Sequence, residues 1–573
     1  MEKKWIIEKR INWEGDAISK NYHPVLLQLL KNRGIEKKED IELFLNFDYQ
    51  KGLIDPWLFS YMSKAVDRIM EAKGRNEKIA VYGDYDAYGV LATIVILEAL
   101  EKVGVTNLIP YIPDRQLEGY GLNEEAINYL KKEKVNLIIT VDCGITNSQE
   151  IEQAKKLGMD VIVTDHHHVP PNLPRALALI NPHIQGQKYS FTELAGVGVA
   201  FKLAQALYQR TCPEEIEQLK WLLDLVAIGT IADCAILKGE NRVLTKYGLI
   251  VLSKTKRIGL QEIFKVGRIQ VDEDNVPDAK KVSFQIAPRI NAAGRMDHAN
   301  VSLKLITEKN KIKARDLALE LESCNQARQK ITEEIVREIR ILANKNFKAK
   351  PLIFVQSDHW PIGILGLVAG KIAEEFGKPT AVFRKQSVEL VGSFRSIAQL
   401  NIIEAIEKCS EYLIKYGGHA QAAGARVKIE NIEKFYRKLN SNIEKIMVDR
   451  KIIPEIRADL ILKAQEIDWE LLLNVKKMEP FGEGNPEPIF LTEGVLVEEV
   501  RVVGNTSSHL KIMLRDSQNG PKLLEAVGFG MGERISSLKQ GDKINILFNL
   551  SEDRWNGNSK IQLKLVDFKK SKM

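Results

Sequence analysis

The sequence predicts an α/β protein: a doubly wound parallel sheet, a long connector helix, a second and smaller α/β domain, and a C-terminal β-barrel. Strand-like and helix-like segments alternate through the first half of the chain, which is typical of a parallel sheet covered by helices. One helical pattern then continues for about 40 residues, or roughly 60 Å, which exceeds an ordinary globular helix. Short apolar runs separated by turn residues follow, and they are typical of a small antiparallel barrel.

Length, composition and cysteine usage agree with this reading. The 573 residues predict about three or four domains, and the 45% hydrophobic content is enough for several cores. The net charge of +7 comes from 83 basic and 76 acidic residues, so charge alone supports a nucleic-acid partner only weakly. The five cysteines are widely separated and form no CxxC pair, which argues against a zinc ribbon or a disulfide framework. Without a signal peptide or an apolar run of about 18 residues, we expect a cytoplasmic protein that does not contact a membrane.

The elements divide the chain into five segments. Residues 1–75 are polar with helical spacing and predict an N-terminal helical cap of the lobe that follows. Residues 76–309 hold the parallel sheet, with the strands IAVYG, NLIPYIP, NLIITVD, VIVTD and LALINP. Residues 310–348 predict the connector helix because apolar residues recur there at helical spacing. Residues 349–450 alternate again as the smaller α/β domain, and residues 451–573 contain the strands of the barrel.

Acidic side chains and histidines follow the strands of the predicted sheet. Ligands of such sheets bind beyond the carboxyl ends of the strands, so side chains at those ends should meet along one edge. The residues at these ends, with one more after the helical stretch WLLDLVAIGTIA, are Asp84, Asp86, Asp142, Asp165, His166, His167, His168 and Asp233. Any one aspartate alone could be a turn former or an N-cap, but four such sites favour a shared function.

These side chains match the ligand preferences of hard divalent cations. Mg²⁺ and Mn²⁺ prefer carboxylate oxygens, and Mn²⁺ also accepts imidazole. Asp84, Asp86, Asp142, His166 and Asp233 supply such a ligand set. Because two ions held about 3.5–4 Å apart can activate a water and stabilise a leaving oxygen, the pattern predicts phosphoryl chemistry.

Basic residues in later segments add to this prediction. APRINAAGRMDHA carries Arg295, GSFRS carries Arg395, and GGHAQAAG carries His419. Small residues let a phosphate approach backbone N–H groups and an arginine fork, although ordinary surface loops remain the alternative. None of these segments contains the GK[ST] of a P-loop, which disfavours an ATPase. In the barrel, four basic residues either line a nucleic-acid groove or form a solvated strand face: Arg501, Lys511, Lys560 and Lys564.

Four motifs resemble the metal-binding motifs of the DHH phosphoesterase superfamily: GDYDAYG, TVDCG, TDHH and GTIAD. Further segments make the chain similar to the RecJ family of bacterial single-strand-specific 5′→3′ DNA exonucleases: IPDRQLEGYGL, APRINAAGR, GILGLVAGKIAE, VGSFRS, GGHAQAAG and EPFGEGNPEP. The resemblance covers nearly the whole chain. It implies a DHH domain, a DHHA1 domain and a C-terminal OB-like barrel.

The resemblance also implies roles for the matching residues. One or two Mn²⁺ or Mg²⁺ ions would be held by the five ligands named above, with Asp165 and His167 in or just behind the ligand shell. Arg295 would hold the scissile phosphate, and Arg115 would help to read the 5′ phosphate. Ser393, Arg395 and His419 would bind the end of the strand. A narrow cleft between the lobes, set by the connector helix, would exclude a duplex.

One position departs from the family pattern. The first motif usually reads DYDxDG, and here Tyr88 replaces its third aspartate. A neutral phenol is a poor ligand for Mg²⁺ or Mn²⁺, so reduced activity is a consequence to test, although Asp84 and Asp86 are still expected to bind metal. His168 is expected to pack or to support the ligands rather than to bind the ion.

The resemblance implies hydrolysis of single-stranded DNA from its 5′ end to mononucleotides, in repair and recombination. Single-stranded DNA is the expected partner, with a single-strand-binding protein and a helicase as further candidates, and we expect a monomer. Two alternatives are open: a phosphodiesterase of short oligonucleotides or cyclic dinucleotides, and an inactive DNA-binding scaffold. The barrel argues against the former, and only Tyr88 favours the latter.

Overall fold

The computed structural model describes residues 3–13, 17–46, 48–115, 117–296, 298–450, 455–504, 507–516, 522–555 and 558–571. The chain forms two compact units. The sheet unit comprises Ile54–Ala235 and Leu244–Ile452, and the barrel unit comprises Met1–Leu53, Ile236–Val243 and Ile453–Met573. Among the described residues, no helix is both long and apolar enough to cross a membrane.

The helices are numbered in chain order. They are α1 Pro24–Asn32, α2 Lys38–Leu45, α3 Met62–Gly74, α4 Ala87–Lys102, α5 Glu124–Lys132, α6 Ser148–Lys156, α7 Gly196–Thr211, α8 Leu223–Ala232, α9 Gly239–Ser253, α10 Ile258–Val266, α11 Ala279–Lys281, α12 Ala287–Met296, α13 Asn300–Thr307, α14 Lys311–Asn346, α15 Leu365–Phe376, α16 Ile402–Glu407, α17 Ile432–Arg450 and α18 Trp469–Lys476. A π-helical stretch, Val282–Ile286, joins α11 to α12.

The strands are numbered in the same way. They are β1 Lys4–Ile7, β2 Ile79–Tyr82, β3 Leu108–Tyr111, β4 Leu137–Val141, β5 Asp160–Thr164, β6 Ala178–Ile180, β7 Ile353–Ser357, β8 Thr380–Lys385, β9 Glu389–Arg395, β10 Leu413–Gly418, β11 Ala422–Lys428, β12 Glu455–Ala458, β13 Leu460–Ile461, β14 Phe490–Val503, β15 His509–Arg515, β16 Leu523–Gly528, β17 Lys543–Trp555 and β18 Asn558–Lys570.

The first sheet has five parallel strands in the order β3-β2-β4-β5-β6. Every residue of β2 and β4 is buried, which explains their almost unbroken runs of Ile, Val, Leu and Ala. The strand order reverses between β2 and β4, so the carboxyl ends of these two strands border the crevice where doubly wound sheets bind ligands. The predicted doubly wound parallel sheet is confirmed.

The connector helix α14 has 36 residues and extends for about 54 Å at 1.5 Å per residue. It packs against α10, α12 and α13 of the first domain, and its residues Ile335 and Ile339 join the apolar cluster around Trp360. The helix therefore contributes to the cores of both domains that it connects. The second domain contains a mixed sheet in the order β10-β11-β9-β8-β7, in which only β7 and β8 run parallel.

The barrel unit contains a closed five-stranded barrel. The strands follow the order β14-β15-β16-β18-β17, and β14 also pairs with β17, which closes the sheet. Apolar residues from alternate positions fill its interior, among them Ile512, Phe490 and Phe548. The predicted OB-like barrel is confirmed.

The N-terminal residues differ from the expectation. The sequence assigned residues 1–75 to the lobe that follows them, but residues 1–53 belong to the barrel unit and only 54–75 to the sheet unit. Strand β1 pairs with β12, and Leu26 and Leu30 of α1 share a core with Leu472 of α18. Helical spacing shows that a segment has an apolar face but not which core that face fills. The boundaries at 76, 310, 349 and 451 stay predictions, and the last lies beside residues 451–454, outside the described residues.

A buried arginine supports the barrel unit. Arg242 is only 1% exposed, and its guanidinium lies 3.8 Å from the ring centroid of Phe44. It donates hydrogen bonds to the carbonyl oxygens of Glu479 at 2.9 Å and Pro480 at 3.1 Å. Burial and the charge of Arg33 lower the pKa of Arg242 to about 9. The charge is tolerated because backbone carbonyls surround it.

We expect Arg242→Leu to destabilise the barrel unit by about 2–4 kcal/mol, because buried carbonyls would lose their charged donor. Loss of amide hydrogen-exchange protection in β14 and β17 measures the effect. Arg501→Leu is the control, because the Arg501 side chain is 58% exposed and its ion pair with Glu499, at 3.6 Å, lies at the surface. Equal protection in both variants would contradict the role given to Arg242.

Candidate metal centre

A tight turn after β2 places Asp84 and Asp86 next to each other. Asp86 caps α4, and its Oδ1 accepts a hydrogen bond from the N–H of Gly89 at 3.0 Å. A Cβ on Gly89 would lie 2.7 Å from the backbone nitrogen of Asp84, so the turn needs glycine there. The two aspartates are only 3% and 8% exposed. The first motif thus buries two carboxylates at the end of one strand.

Asp142 lies at the end of β4, in an unusual backbone conformation. Its φ is +62°, a region that residues other than glycine rarely adopt. The N–H of Asp142 donates to the carbonyl of Thr164 in β5 at 2.9 Å, which holds the turn. A Cβ on Gly196, at the start of α7, would lie 2.0 Å from Oδ1 of Asp142. Local strain and a close helix therefore fix this carboxylate, and it is completely buried.

Asp165 organises the turn after β5. Its Oδ1 accepts from the backbone N–H groups of His166 at 2.7 Å and His167 at 3.1 Å, and lies 2.7 Å from Nδ1 of His167. Its Oδ2 accepts from the N–H of Ile145 at 3.0 Å. Burial raises the pKa of Asp165, but the hydrogen bond and charge of His167 outweigh it and lower the pKa. With its oxygens engaged in this way, Asp165 supports the ligands from behind.

His166 points at two carboxylates from different elements. Its Nε2 lies 3.2 Å from Oδ1 of Asp142 and 3.6 Å from Oδ2 of Asp233, which ends helix α8. Burial lowers the pKa of His166, but the two carboxylates outweigh it and raise the pKa to about 10. Burial raises the pKa of Asp233 to about 7. The free protein therefore holds protons at this point near neutral pH.

Several buried ligand atoms of this cluster make no well-directed hydrogen bond. Within the described part of the chain, four such atoms are Asp84 Oδ1, both carboxylate oxygens of Asp142, and His166 Nε2. Each buried polar group left unpaired costs about 1–3 kcal/mol. Burial and the charges of neighbouring carboxylates also raise the pKa values of Asp84 and Asp86. A divalent cation would satisfy these atoms, so the donor set of carboxylates and imidazole fits Mn²⁺ or Mg²⁺.

Tyr88 lies beside this cluster. Its hydroxyl donates a hydrogen bond to Asp86, and the charge of Asp86 together with burial raises the pKa of Tyr88 well above its ordinary value. The phenol is therefore neutral at every working pH. It contributes a donor to the carboxylate and no charge to a cation.

Tyr120 is a second tyrosine of the site, and its sequence pattern did not predict it. The hydroxyl of Tyr120 donates to the carbonyl oxygen of Asp142 at 3.1 Å and lies 3.1 Å from Nδ1 of His167. Tyr120 therefore links the turn after β4 to the turn after β5. Tyr120 lies inside the segment IPDRQLEGYGL, but the spacing of that segment does not distinguish Tyr120 from its neighbours as a site residue. His168 instead packs on His183, with ring centroids 4.7 Å apart, so its supporting role stays a prediction.

Two arginines extend from the cluster. Arg295 donates to the carbonyl of Gly363 at 3.1 Å, and a Cβ on Gly363 would lie 2.3 Å from the carbonyl oxygen of Arg295. Burial, then the charge of Arg115, lowers the pKa of Arg295 to about 10, which keeps it protonated. Arg115 lies 4.7 Å above the ring centroid of Tyr85, the residue between the two motif aspartates. The charged groups are thus held next to the acidic cluster.

The second domain brings its predicted residues to the same place. Arg395 donates to Ser393 Oγ at 3.3 Å and to the carbonyl of Phe394 at 2.8 Å. A Cβ on Gly366 would lie 2.9 Å from Nη2 of Arg395, so α15 approaches this pair closely. Burial and the charge of Arg115 lower the pKa of Arg395. Burial and then the charges of the three motif histidines lower the pKa of His419. Together with the contact between Gly363 and Arg295, these charge effects place residues of both domains near the acidic cluster.

The basic residues of the barrel are less available than the sequence suggests. Lys511 and Lys560 both pair with Glu525, each at 3.0 Å, and Arg501 lies 3.6 Å from Glu499. Their charge is largely balanced by neighbouring carboxylates. A nucleic-acid groove would therefore depend on Lys564 and the open strand faces, and it stays a prediction.

Three sequence models of protein families match the chain. The model described as DHH family, N-terminal domain, matches residues 78–230; the DHHA1 domain matches 349–445; and the RecJ OB domain matches 458–567. The chain is 37% identical to the single-stranded-DNA-specific exonuclease RecJ of Bacillus subtilis, over 98% of this chain and 70% of that protein. It is 31% identical to the RecJ protein of Haemophilus influenzae over 99% of both chains.

A solved structure of a RecJ protein is also similar to this chain. The crystal structure of RecJ from Thermus thermophilus in complex with Mn²⁺ matches all of this chain and 80% of that one, with a TM-score of 0.81 and 27% identity. A second crystal structure of the same protein contains Mg²⁺.

The raised pKa values at His166 and Asp233 predict proton release when metal binds. Because a cation needs the deprotonated groups, its affinity should rise with pH and be lost as the pH falls below about 7. We expect the dissociation constant for Mn²⁺ to fall by at least about fivefold per unit between pH 6 and 8. Calorimetry in buffers of different ionisation enthalpy measures both the dissociation constant for Mn²⁺ and the number of protons released. His359→Gln, which alters an imidazole that is 67% exposed and belongs to the second domain, should keep the same slope; a pH-independent affinity would contradict the prediction.

Proposed function

The chain belongs to the RecJ family of single-stranded-DNA-specific exonucleases, and we propose on this basis that it hydrolyses single-stranded DNA from the 5′ end to mononucleotides in repair and recombination. The observation that carries the proposal is the cluster of buried, unpartnered ligand atoms at the carboxyl ends of β2 and β4. Four arginine and histidine side chains, from two domains, lie around it.

In this proposal the metal ligands are Asp84, Asp86, Asp142, His166 and Asp233. When bound, Mn²⁺ or Mg²⁺ supplies Lewis-acid polarisation of a phosphate and lets water act as a nucleophile at neutral pH. Asp165 and Tyr120 hold the turns that carry these ligands, through the hydrogen bonds described above. His167, oriented by Asp165, faces the cleft.

The basic residues position the strand. Arg295 binds the scissile phosphate, since its guanidinium is fixed by Gly363 and stays protonated. Arg115 binds the 5′ phosphate, with Ser393, Arg395 and His419 around the strand end. An arginine fork suits such phosphate oxygens because it offers two parallel donors. In this proposal the 5′ phosphate lies one nucleotide before the scissile phosphate.

Selectivity for single strands follows from the same geometry. Gly363 lets the second domain approach Arg295 of the first so closely that a Cβ would collide. We infer that a cleft bordered by such a contact admits a single strand and excludes a duplex. The OB-like barrel is proposed to bind the strand further along its length, as such folds do.

Two alternatives are less well supported. A phosphodiesterase of short oligonucleotides or cyclic dinucleotides does not account for the OB-like barrel or for the similarity to exonucleases over nearly the full chain. An inactive scaffold rests on Tyr88 alone, and none of the five ligands is missing.

We also propose a cytoplasmic monomer that works with a single-strand-binding protein and a helicase. The absence of a disulfide framework supports the compartment. A helicase that opens duplex DNA would supply the single strand that this cleft requires.

With Mn²⁺, the purified protein should degrade a 5′-phosphorylated single strand much faster than a blunt duplex. Asp142→Asn should reduce the rate by about 10³-fold or more, because a ligand charge is lost where phosphoryl charge develops. Release of mononucleotides from a labelled 5′ end is the measurement. Asp358→Asn, whose side chain is 83% exposed, is the matched control. Equal rates on single-stranded and duplex DNA, or activity that persists with a chelator, would contradict the proposal.

Tyr88 gives a second test. Since the phenol leaves all five ligands in place, the parent chain should be active, and Tyr88→Asp should change kcat by less than about tenfold, or 1.4 kcal/mol. Tyr88→Phe separates the hydrogen bond to Asp86 from the bulk of the ring. An inactive parent that Tyr88→Asp restores would instead favour the scaffold.

A further inference from the structure

The last turns of helix α12 lie against the turn that carries the first two aspartates. Oδ1 of Asn291 accepts a hydrogen bond from the backbone N–H of Ala87 at 2.8 Å. A Cβ on Gly294, three residues further along α12, would lie 2.3 Å from the carbonyl oxygen of Tyr85. Two separate contacts therefore join the segment APRINAAGR to the residues on either side of Asp86.

The N–H of Ala87 depends on this acceptor. Ala87 is the first residue of α4, so its N–H has no partner within that helix, and the residue is completely buried. The capping side chain of Asp86 accepts from the N–H of Gly89. A buried N–H without an acceptor is unfavourable, and Asn291 supplies one from a position 204 residues later in the chain. Asn291 thereby holds the start of α4, and with it Asp86, against α12.

The same part of α12 also contacts the second domain. Asn291 and Arg295 are four residues apart and so lie on one face of the helix. Arg295 donates to the carbonyl of Gly363 at 3.1 Å, and a Cβ on Gly363 would lie 2.3 Å from the carbonyl oxygen of Arg295. One helical turn is thus fixed to the aspartate turn through Asn291 and to the second domain through Arg295.

We propose that Asn291 is a positioning residue, which holds the turn of Asp84 and Asp86 at a set distance from Arg295. The inference rests on the proposed function, because it takes the two aspartates as metal ligands and Arg295 as the residue that binds the scissile phosphate. Asn291 acts through the backbone of the turn and not by contact with the ion. Groups that orient metal ligands in this way typically contribute about 10–100-fold to metal affinity or activity.

Removal of the acceptor tests the proposal. Asn291→Leu keeps the approximate size of the side chain and leaves the N–H of Ala87 without its partner. We expect the dissociation constant for Mn²⁺, measured by calorimetry, to rise by about 10-fold or more. Binding of a single-stranded 20-mer in EDTA, measured by fluorescence anisotropy, should stay within about threefold, because the phosphate-binding arginines are retained.

Asn310→Leu is the matched control. Oδ1 of Asn310 also accepts from backbone N–H groups at the start of a helix, those of Ile312 at 2.9 Å and Lys313 at 3.1 Å in α14. This variant loses the same kind of bond away from the aspartate turn, so both binding constants should match those of the parent.

Hydrogen exchange in the metal-free protein reports on the turn itself. In EDTA, Asn291→Leu should speed amide exchange in residues 84–90 and leave the strands of the sheet protected, because one local hydrogen bond is lost. Asn310→Leu should leave residues 84–90 unchanged. Asn291→Ala, which removes the acceptor without adding an apolar branch, takes the place of the leucine variant if that variant folds poorly.

An unchanged affinity for Mn²⁺, or unchanged exchange in residues 84–90, would overturn the inference. Equal losses of Mn²⁺ and DNA binding, with faster exchange throughout the sheet, would assign Asn291 a purely structural role and overturn it as well. If the parent binds Mn²⁺ but cleaves nothing, the proposed hydrolysis fails while the affinity for Mn²⁺ still decides about Asn291. If the parent binds no Mn²⁺, the ligand assignment and this inference both fall.

Discussion

The burial of several carboxylates next to one another at the carboxyl ends of β2 and β4 is the constraint on which the structure depends. Asp84 and Asp142 come from strands that are neighbours only because the sheet reverses its order there. Their oxygens are shielded from solvent and repel each other, so the fold stores unfavourable electrostatic energy at one point. The surrounding elements hold the carboxylates in place: the strained backbone of Asp142, the turn at Gly89 and the first residue of α7.

A second charge excess, of opposite sign, lies beside the first. The acidic cluster belongs to the first domain, and the arginines near it come from both domains. His166 offsets only part of the negative charge, and within the described residues no carboxylate lies within 4 Å of Arg115, Arg295 or Arg395. Cations and a phosphate chain would each balance one of them, and bound together they would also attract each other. The cleft is thus organised for two ligands of opposite charge, and the protein contributes rigidity rather than neutrality.

The sequence was informative where topology alone fixes a position. Carboxyl ends of parallel strands must share an edge, so the convergence of Asp84, Asp142 and His166 could be predicted without coordinates. Pairing is not visible in the same way. The spacing does not show that Glu525 neutralises Lys511 and Lys560, or that Tyr120 links two turns. Docking of residues 1–53 onto the barrel core was missed for a related reason, since an apolar helix face does not specify its partner.

The continuity of α14 has a consequence for how the family can vary. Because the helix enters the cores of both domains, its length sets the distance and the rotation between them. One inserted residue would turn the second domain by about 100° and remove Arg395 from the cleft, whereas seven residues, close to two full turns, would restore the facing but separate the domains by about 10 Å. Loops at the surface can lengthen by any number of residues. This helix can do so only in whole turns, and each turn would widen the cleft.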